Sequence, residues 1–238
     1  MSYFESRLPI DFNNLNEAER KIELCKELGI KNIILEPIRN KDGIPFDFRD
    51  KVKKMSEINI YFRINLKLKD LEEFKKKIKK YNNFQDILSI ESLNKEVQLQ
   101  SAKDSRVDIV SFSDPEILKT LTPGVISLTK QNNSFIEFSL APLMVSNKTL
   151  QSKNFRNLYK NIQLAINSKA NYIISGNFID NYNFRHPRAL LSVCHSLLGI
   201  PLNIVKKVYI KNPQMLVKKS KNRYEESLKK QTNNLRGE

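Results

Sequence analysis

Short, almost unbroken apolar runs alternate with amphipathic helical stretches along most of this chain, and that alternation restricts its fold more than any other feature. Asn32 to Glu36, Asn59 to Leu68, Asp86 to Glu91, Val107 to Phe112, Phe135 to Leu140 and Asn171 to Ser175 read as strands, with a further short one from Tyr3 to Arg7. Runs this apolar belong to strands covered on both faces. Between them fall helical periods. Leu15, Ala18, Ile22, Cys25 and Leu28 share one helix face, opened by Asn14 and closed by Gly29 as a left-handed cap. Phe46 to Ile58, Leu71 to Tyr81, Leu93 to Lys103, Pro115 to Leu121, Val125 to Lys130 and a long helix carrying Phe155, Leu158, Ile162 and Ala165 follow. About seven strand-then-helix units imply a parallel sheet with crossover helices. An open doubly wound sheet and a closed barrel both satisfy that order. The number of units and the absence of a Gly-rich first turn favour one TIM-barrel-like (β/α) barrel over residues 1–223. A basic helical segment ends it, and residues 224–238, charged and Asn-rich, are expected to fray.

The chain carries 41 Lys and Arg against 26 Asp and Glu, a formal charge of +15. Such an excess repels itself in the compact state unless a polyanion absorbs it. Nucleic acid is the leading partner and an anionic membrane surface the runner-up. Cys25 and Cys194 lie on apolar helix faces at no metal-like or redox-like spacing, and read as reduced core thiols of a cytosolic protein. No segment approaches the ~18 apolar residues of a membrane span, and Met1 to Glu5 lacks the build of a signal peptide. A soluble cytoplasmic protein is expected.

Several residues invite chemistry. Glu36 and Glu91 stand at strand ends, where barrel enzymes place catalytic groups, while Asp108 and Glu137 lie inside strands. They are candidates for a metal-dependent phosphoesterase site; the competing reading pairs them with Arg63, Lys67 or Arg106. His186 and His195 flank one helix and read as structural or phosphate-facing. Cys194 and His195 are adjacent on a helix, about 100° apart, so the imidazole is badly placed to activate the thiol. Ser175-Gly176 offers backbone N–H groups to a phosphate, or serves only as a turn.

The basic residues say more. Arg185 and Arg188 bracket Pro187 at a helix start, where N–H groups, dipole and two guanidinium forks would face one place. The pair either binds phosphate or carboxylate, or holds a neighbouring element. Residues 201–238 hold ten basic and three acidic side chains, Lys206 and Lys207 among them. The lysine-rich helix at 69–81 keeps Asp70, Glu72 and Glu73 and reads as a solvated outer helix. No strand carries the aromatics that stack unpaired bases. Contact through shape and phosphates on structured RNA is therefore expected.

Ile136 to Met144, Arg106 to Ser111, Ser175-Gly176, Arg185-His186-Pro187-Arg188 and Leu198-Gly199-Ile200-Pro201 together resemble archaeal ribonuclease P protein component 3, the barrel subunit also found in eukaryotic ribonuclease P and MRP. The chain departs from that pattern at Ser113-Asp114-Pro115 and Asn177-Phe178. The resemblance implies an incomplete or distorted barrel inside a ribonucleoprotein that removes 5′ leaders from precursor tRNA. It also implies that the RNA component is the catalyst, with Mg²⁺ at the RNA and no cofactor on the protein. The implied partners are that RNA, ribonuclease P protein component 2 and the other protein subunits. Arg106, Lys169, Arg185, Arg188, Lys206 and Lys207 are the candidates for RNA contact or assembly.

Overall fold

A computed structural model describes residues 2–38, 43–55 and 57–235. Seven parallel strands pair in chain order: β1 (Phe4–Ile10), β2 (Asn32–Pro37), β3 (Asn59–Lys67), β4 (Ile87–Glu91), β5 (Ile109–Phe112), β6 (Phe135–Ser139) and β7 (Tyr172–Ser175). The sheet curls into a nearly closed barrel whose last and first strands lie against each other without a ladder. Instead, the N–H of Gly176 crosses the seam to the Glu5 carboxylate at 2.9 Å.

Helices α1 (Leu15–Glu27), α2 (Phe46–Met55), α3 (Leu71–Ile78), α4 (Lys95–Lys103), α5 (Pro115–Leu118), α6 (Pro123–Gln131) and α7 (Lys148–Asn167) form the crossovers, and α8 (Pro187–Ser196) follows β7. Their starts are written locally: the side chains of Asn14, Asp70, Asn94, Asp114, Thr122 and Asn147 each accept an N–H of the first turn. Gly29, at φ 72°, closes α1 as expected. The helix expected over 46–58 stops at Met55, and residue 56 lies outside the described residues.

After α9 (Leu202–Lys206) the chain widens into a π turn, Lys207–Lys211, and continues as α10 (Asn212–Leu235). Pro213 accounts for the wide turn. It donates no N–H, and its ring conflicts with the carbonyl four residues back, that of Tyr209. The expected boundary at 223/224 falls inside α10; residues 236–238 lie outside the described residues.

Three shells of side chains result. Outward-facing strand residues such as Leu35, Phe62, Ile90, Val110, Phe138 and Ile174 pack under the helices. Inside, at the N-terminal end of the strands, Phe4, Ile34, Ile87, Ile109, Phe135 and Ile173 form an apolar ring, one residue from each of six strands. Leu216 and Val217 of α10 press into this ring and floor the barrel. Above it the interior is polar.

Candidate nucleic-acid interface

The polar interior comes from side chains two residues apart on single strands, which by the strand period point the same way. These pairs are Arg63 and Asn65 on β3, and Ser89 and Glu91 on β4; on β1 the register shifts between Glu5 and Leu8, so Glu5 and Arg7 join the polar set outside that period. Ser111 and Ser113 follow at β5, then Glu137 and Ser139 on β6; all ten residues are buried. Arg63 is fully buried and grips Glu137 with both terminal nitrogens, at 2.8 and 2.9 Å, while its Nε lies 2.8 Å from Glu36 Oε2. Arg7 reaches Glu36 at 2.7 Å, Glu91 at 3.3 Å and Glu137 at 3.5 Å, and donates to Ser113 Oγ at 2.5 Å. Burial alone would raise the Glu137 pKa; Arg63 and Arg7 outweigh it and hold that carboxyl down at about 2. Burial likewise works against Glu91, but Arg7 and Lys67 keep its pKa below the usual range. Glu5 lacks such a cation and burial pushes it up to about 7.

Of the four carboxylates singled out in the sequence, Glu36, Glu91 and Glu137 therefore converge, and two guanidiniums stand among them. Asp108 does not join them. It sits at the N-terminal entry to β5, accepts Leu88 N–H at 2.9 Å, and is held from α10 by Arg223 at 2.8 Å. Arg106 pairs with none of the four. Its fork lies on Asp104 (2.6 and 2.8 Å) and on Asn82 Oδ1 (2.7 Å). No group of three or more His, Cys, Asp or Glu residues is arranged to hold a metal among the described residues. Gly176 N–H is spent on Glu5 inside the seam, so the Ser175-Gly176 turn does not present it to a phosphate. Cys194 Sγ faces Tyr209 Oη at 3.6 Å, and His195 Nδ1 faces the Ile200 carbonyl at 2.9 Å, so thiol and imidazole do point apart.

The six basic candidates do not form one patch. Arg106 and Lys169 lie in loops entering β5 and β7, at the N-terminal end of the barrel; Lys169 is exposed with φ 51°. Arg185 and Arg188 stand at the start of α8, beyond the C-terminal end of β7. Arg185 does not project beside Arg188. It folds back onto the carbonyls of Tyr182 (2.5 Å) and Phe184 (2.7 Å), and His186 Nδ1 caps the helix by accepting Arg188 N–H. Arg185 also borders a 650 Å³ apolar groove between α7 and α8, lined by Leu143, Phe155, Leu190, Val193 and Leu197, with Arg156 nearby. Lys206 and Lys207 are exposed where α9 turns toward the β7–β1 seam.

Sequence reasoning missed a larger groove beside α10, rich in asparagine and basic residues, with a cavity of about 860 Å³. Asparagines 82, 83, 132, 133, 171 and 222 line it, together with Arg106, Lys218, Lys219 and Arg223; Glu226 is its one acid. The Asn-Asn pairs at 82–83 and 132–133, each just before a strand, were the available signal. They read naturally as turns, and only the barrel brings them to one wall. On the other flank of α10, Lys221 lies 5.7 Å from the Tyr61 ring centroid, and Arg49 is paired with Asp86.

These features describe a (β/α) barrel protein whose polar interior is closed by ion pairs and whose available positive charge lies on its outside. The chain belongs to the RNase P subunit p30 family, whose model matches residues 3–225. Its fold is similar to a chain in the cryo-EM structure of archaeal ribonuclease P with mature tRNA, at 19% identity and a TM-score of 0.71, covering 91% of this chain and 90% of that one. It is also similar to a putative prolidase from Bifidobacterium longum, at 9% identity and TM-score 0.58, over 90% of this chain and 69% of that one. At such identities the likeness is one of fold. No protein of curated function matches the sequence. No helix among the described residues is long and apolar enough to cross a membrane.

Proposed function

We propose that this chain is a non-catalytic protein subunit of ribonuclease P. On this reading it binds the RNA component and a partner protein subunit, ribonuclease P protein component 2, and so supports RNA-catalysed removal of the 5′ leader from precursor tRNA in the cytoplasm. The observation that carries the reading is the family match across nearly the whole chain. The formal charge of +15 fits it, because a polyanionic partner relieves the self-repulsion. Mg²⁺ belongs to the RNA in this assignment, and the protein binds no cofactor of its own.

Arg106, Lys169, Arg188, Lys206 and Lys207 are the proposed phosphate contacts. Arg185, on the rim of the apolar groove between α7 and α8, is assigned to assembly with the partner protein. A metal-dependent phosphoesterase built on Glu36, Glu91 and Asp108 is the weaker alternative, since Arg7 and Arg63 stand among the first two carboxylates and Asp108 is elsewhere.

Reconstitution with the RNA component and partner subunits tests the proposal. Arg185→Ala with Arg188→Ala is expected to lower precursor-tRNA cleavage while leaving the thermal melt unchanged. Unaltered cleavage across ionic strengths would overturn those two sites. Cleavage by the pure polypeptide, lost in Glu36→Gln, would overturn the non-catalytic reading.

A further inference from the structure

We infer that the groove between α10 and the loops entering β4, β5, β6 and β7 is a docking site for A-form RNA, engaging backbone phosphates with its cations and ribose 2′-hydroxyls with its asparagines. This rests on the ribonuclease P reading and adds to it a face of the barrel and a mode of contact.

The first support is the polarity of the barrel. Helices in this fold begin beyond the C-terminal ends of the strands and finish near their N-terminal ends. Acids fill the first turns: Glu17, Asp47, Glu73, Glu96 and Glu116 in α1 to α5. Lysines fill the last: Lys26, Lys54, Lys77, Lys103 and Lys130. Each choice satisfies its own helix dipole. The contrast is confined to α1–α5, since α6, α7 and α8 open without an acid, and Glu17, Glu73 and Glu116 are paired with Lys21, Lys77 and Lys119. Within that arc the floor attracts phosphate more than the rim on which barrel enzymes bind substrate.

The second support is the groove's lining. Protein interfaces deplete lysine and favour aromatics at their centres. Here Phe135 and Met215 are the main apolar residues among six asparagines and four cations. An amide both donates and accepts, as a 2′-hydroxyl does.

The third support is what the protein itself leaves unused. Some lining residues have local work: Asn82 accepts from Arg106, Asn132 donates to the Asp104 carbonyl, and Asn133 sits at φ 50° in its turn. Lys219 is spent on the Val107 carbonyl at 3.0 Å. Arg223 is spent as well: Nη2 goes to Asp108 and to the Asp86 carbonyl, and its Nε and Nη1 are buried away from the groove. The side chains of Lys218, Asn83 and Asn222 are exposed and have no hydrogen-bond partner among the described residues. Asn222 lies within a helix, where asparagine is a poor former and no turn explains it.

The test measures binding of the full-length protein to a fluorescein-labelled RNA hairpin and to a DNA hairpin of the same sequence, across a range of salt. Lys218→Gln is expected to weaken both and to lower the salt slope by about one. Asn83→Ala with Asn222→Ala is expected to weaken RNA binding about fivefold to tenfold, with DNA binding and the salt slope unchanged. Groove variants that bind like the wild type, while Arg188→Ala does not, would overturn the groove and leave the RNA-binding reading standing. Normal RNA binding by Lys218→Gln combined with loss of a partner subunit would assign the groove to protein and overturn the inference. A wild-type chain that binds neither the hairpin nor the RNA component would remove the ribonuclease P reading itself.

Discussion

Glu5 makes the stability of this barrel depend on pH in a direction opposite to that of the cation-paired Glu91 and Glu137. Its carboxylate is 4% exposed and accepts from Arg7 N–H at 3.1 Å and Gly176 N–H at 2.9 Å, with no cation in contact. Burial lifts its pKa from 4.5 to about 7. The native state therefore binds more protons than the unfolded state between those values. Stability from this group is complete below the unfolded value and is lost as pH rises through 7. Each pKa unit corresponds to about 1.4 kcal/mol, so between pH 5 and 8 the loss comes to about 2.5 kcal/mol. Glu5→Gln keeps an oxygen for Gly176 and removes the titration. Urea unfolding of both proteins at pH 5, 6, 7 and 8 should show the variant gaining on the wild type by that amount. Glu137, already held at about 2, contributes no titration in this window. All other groups are common to both proteins and cancel in the difference. Parallel profiles would refute the reasoning, because they would mean that the Glu5 carboxyl is ionised throughout and its burial costs nothing.

Two further perturbations probe the same interior. Gly176→Ala would set a Cβ 2.6 Å from Glu5 Oε2 and 2.7 Å from the Phe178 ring. Overpacking of that kind costs about 1–3 kcal/mol and should lower the thermal midpoint by several degrees; an unchanged melt would show that the seam yields. Arg63→Met removes the bidentate partner of Glu137 and should cost about 3–5 kcal/mol in denaturant unfolding at pH 7. Because the buried Glu137 charge, left without that partner, would be the cause, part of that loss should return as pH falls; a loss independent of pH would point to packing instead.

Much of the barrel was legible because its local signals agree. Asn14 and Gly29 bracket α1, and the apolar runs at β2, β3 and β6 fall within a residue or two of the observed strands. The (β/α) barrel and its seven strands follow from that alternation. The interior was half-legible. Glu36, Glu91 and Glu137 were noticed singly, but the polar pairs at i and i+2, such as Arg63 with Asn65 and Ser111 with Ser113, define an inward face that only closure turns into a cluster. Arg7 went unmarked because one cation on an uncertain first strand has no partner in sequence. Arg185 and Arg188 failed to converge for a local reason: the carbonyls of Tyr182 and Phe184 compete for the first guanidinium. The groove beside α10 was not legible at all, since its walls come from four loops spread between residues 82 and 171 and a helix beyond residue 212.

The floor of the barrel has a consequence for how the molecule is made. Leu216, Val217, Lys219 and Arg223 are translated after every strand they serve. As β7 leaves the ribosome, the apolar ring is still open to water and the Asp108 carboxylate still lacks its guanidinium. A nascent barrel of this kind exposes a hydrophobic mouth until some forty more residues have followed, a span in which unshielded apolar surface invites wrong contacts. The same helix that seats the last layer of the core also forms one wall of the basic groove, so completing the fold and creating that surface are a single event.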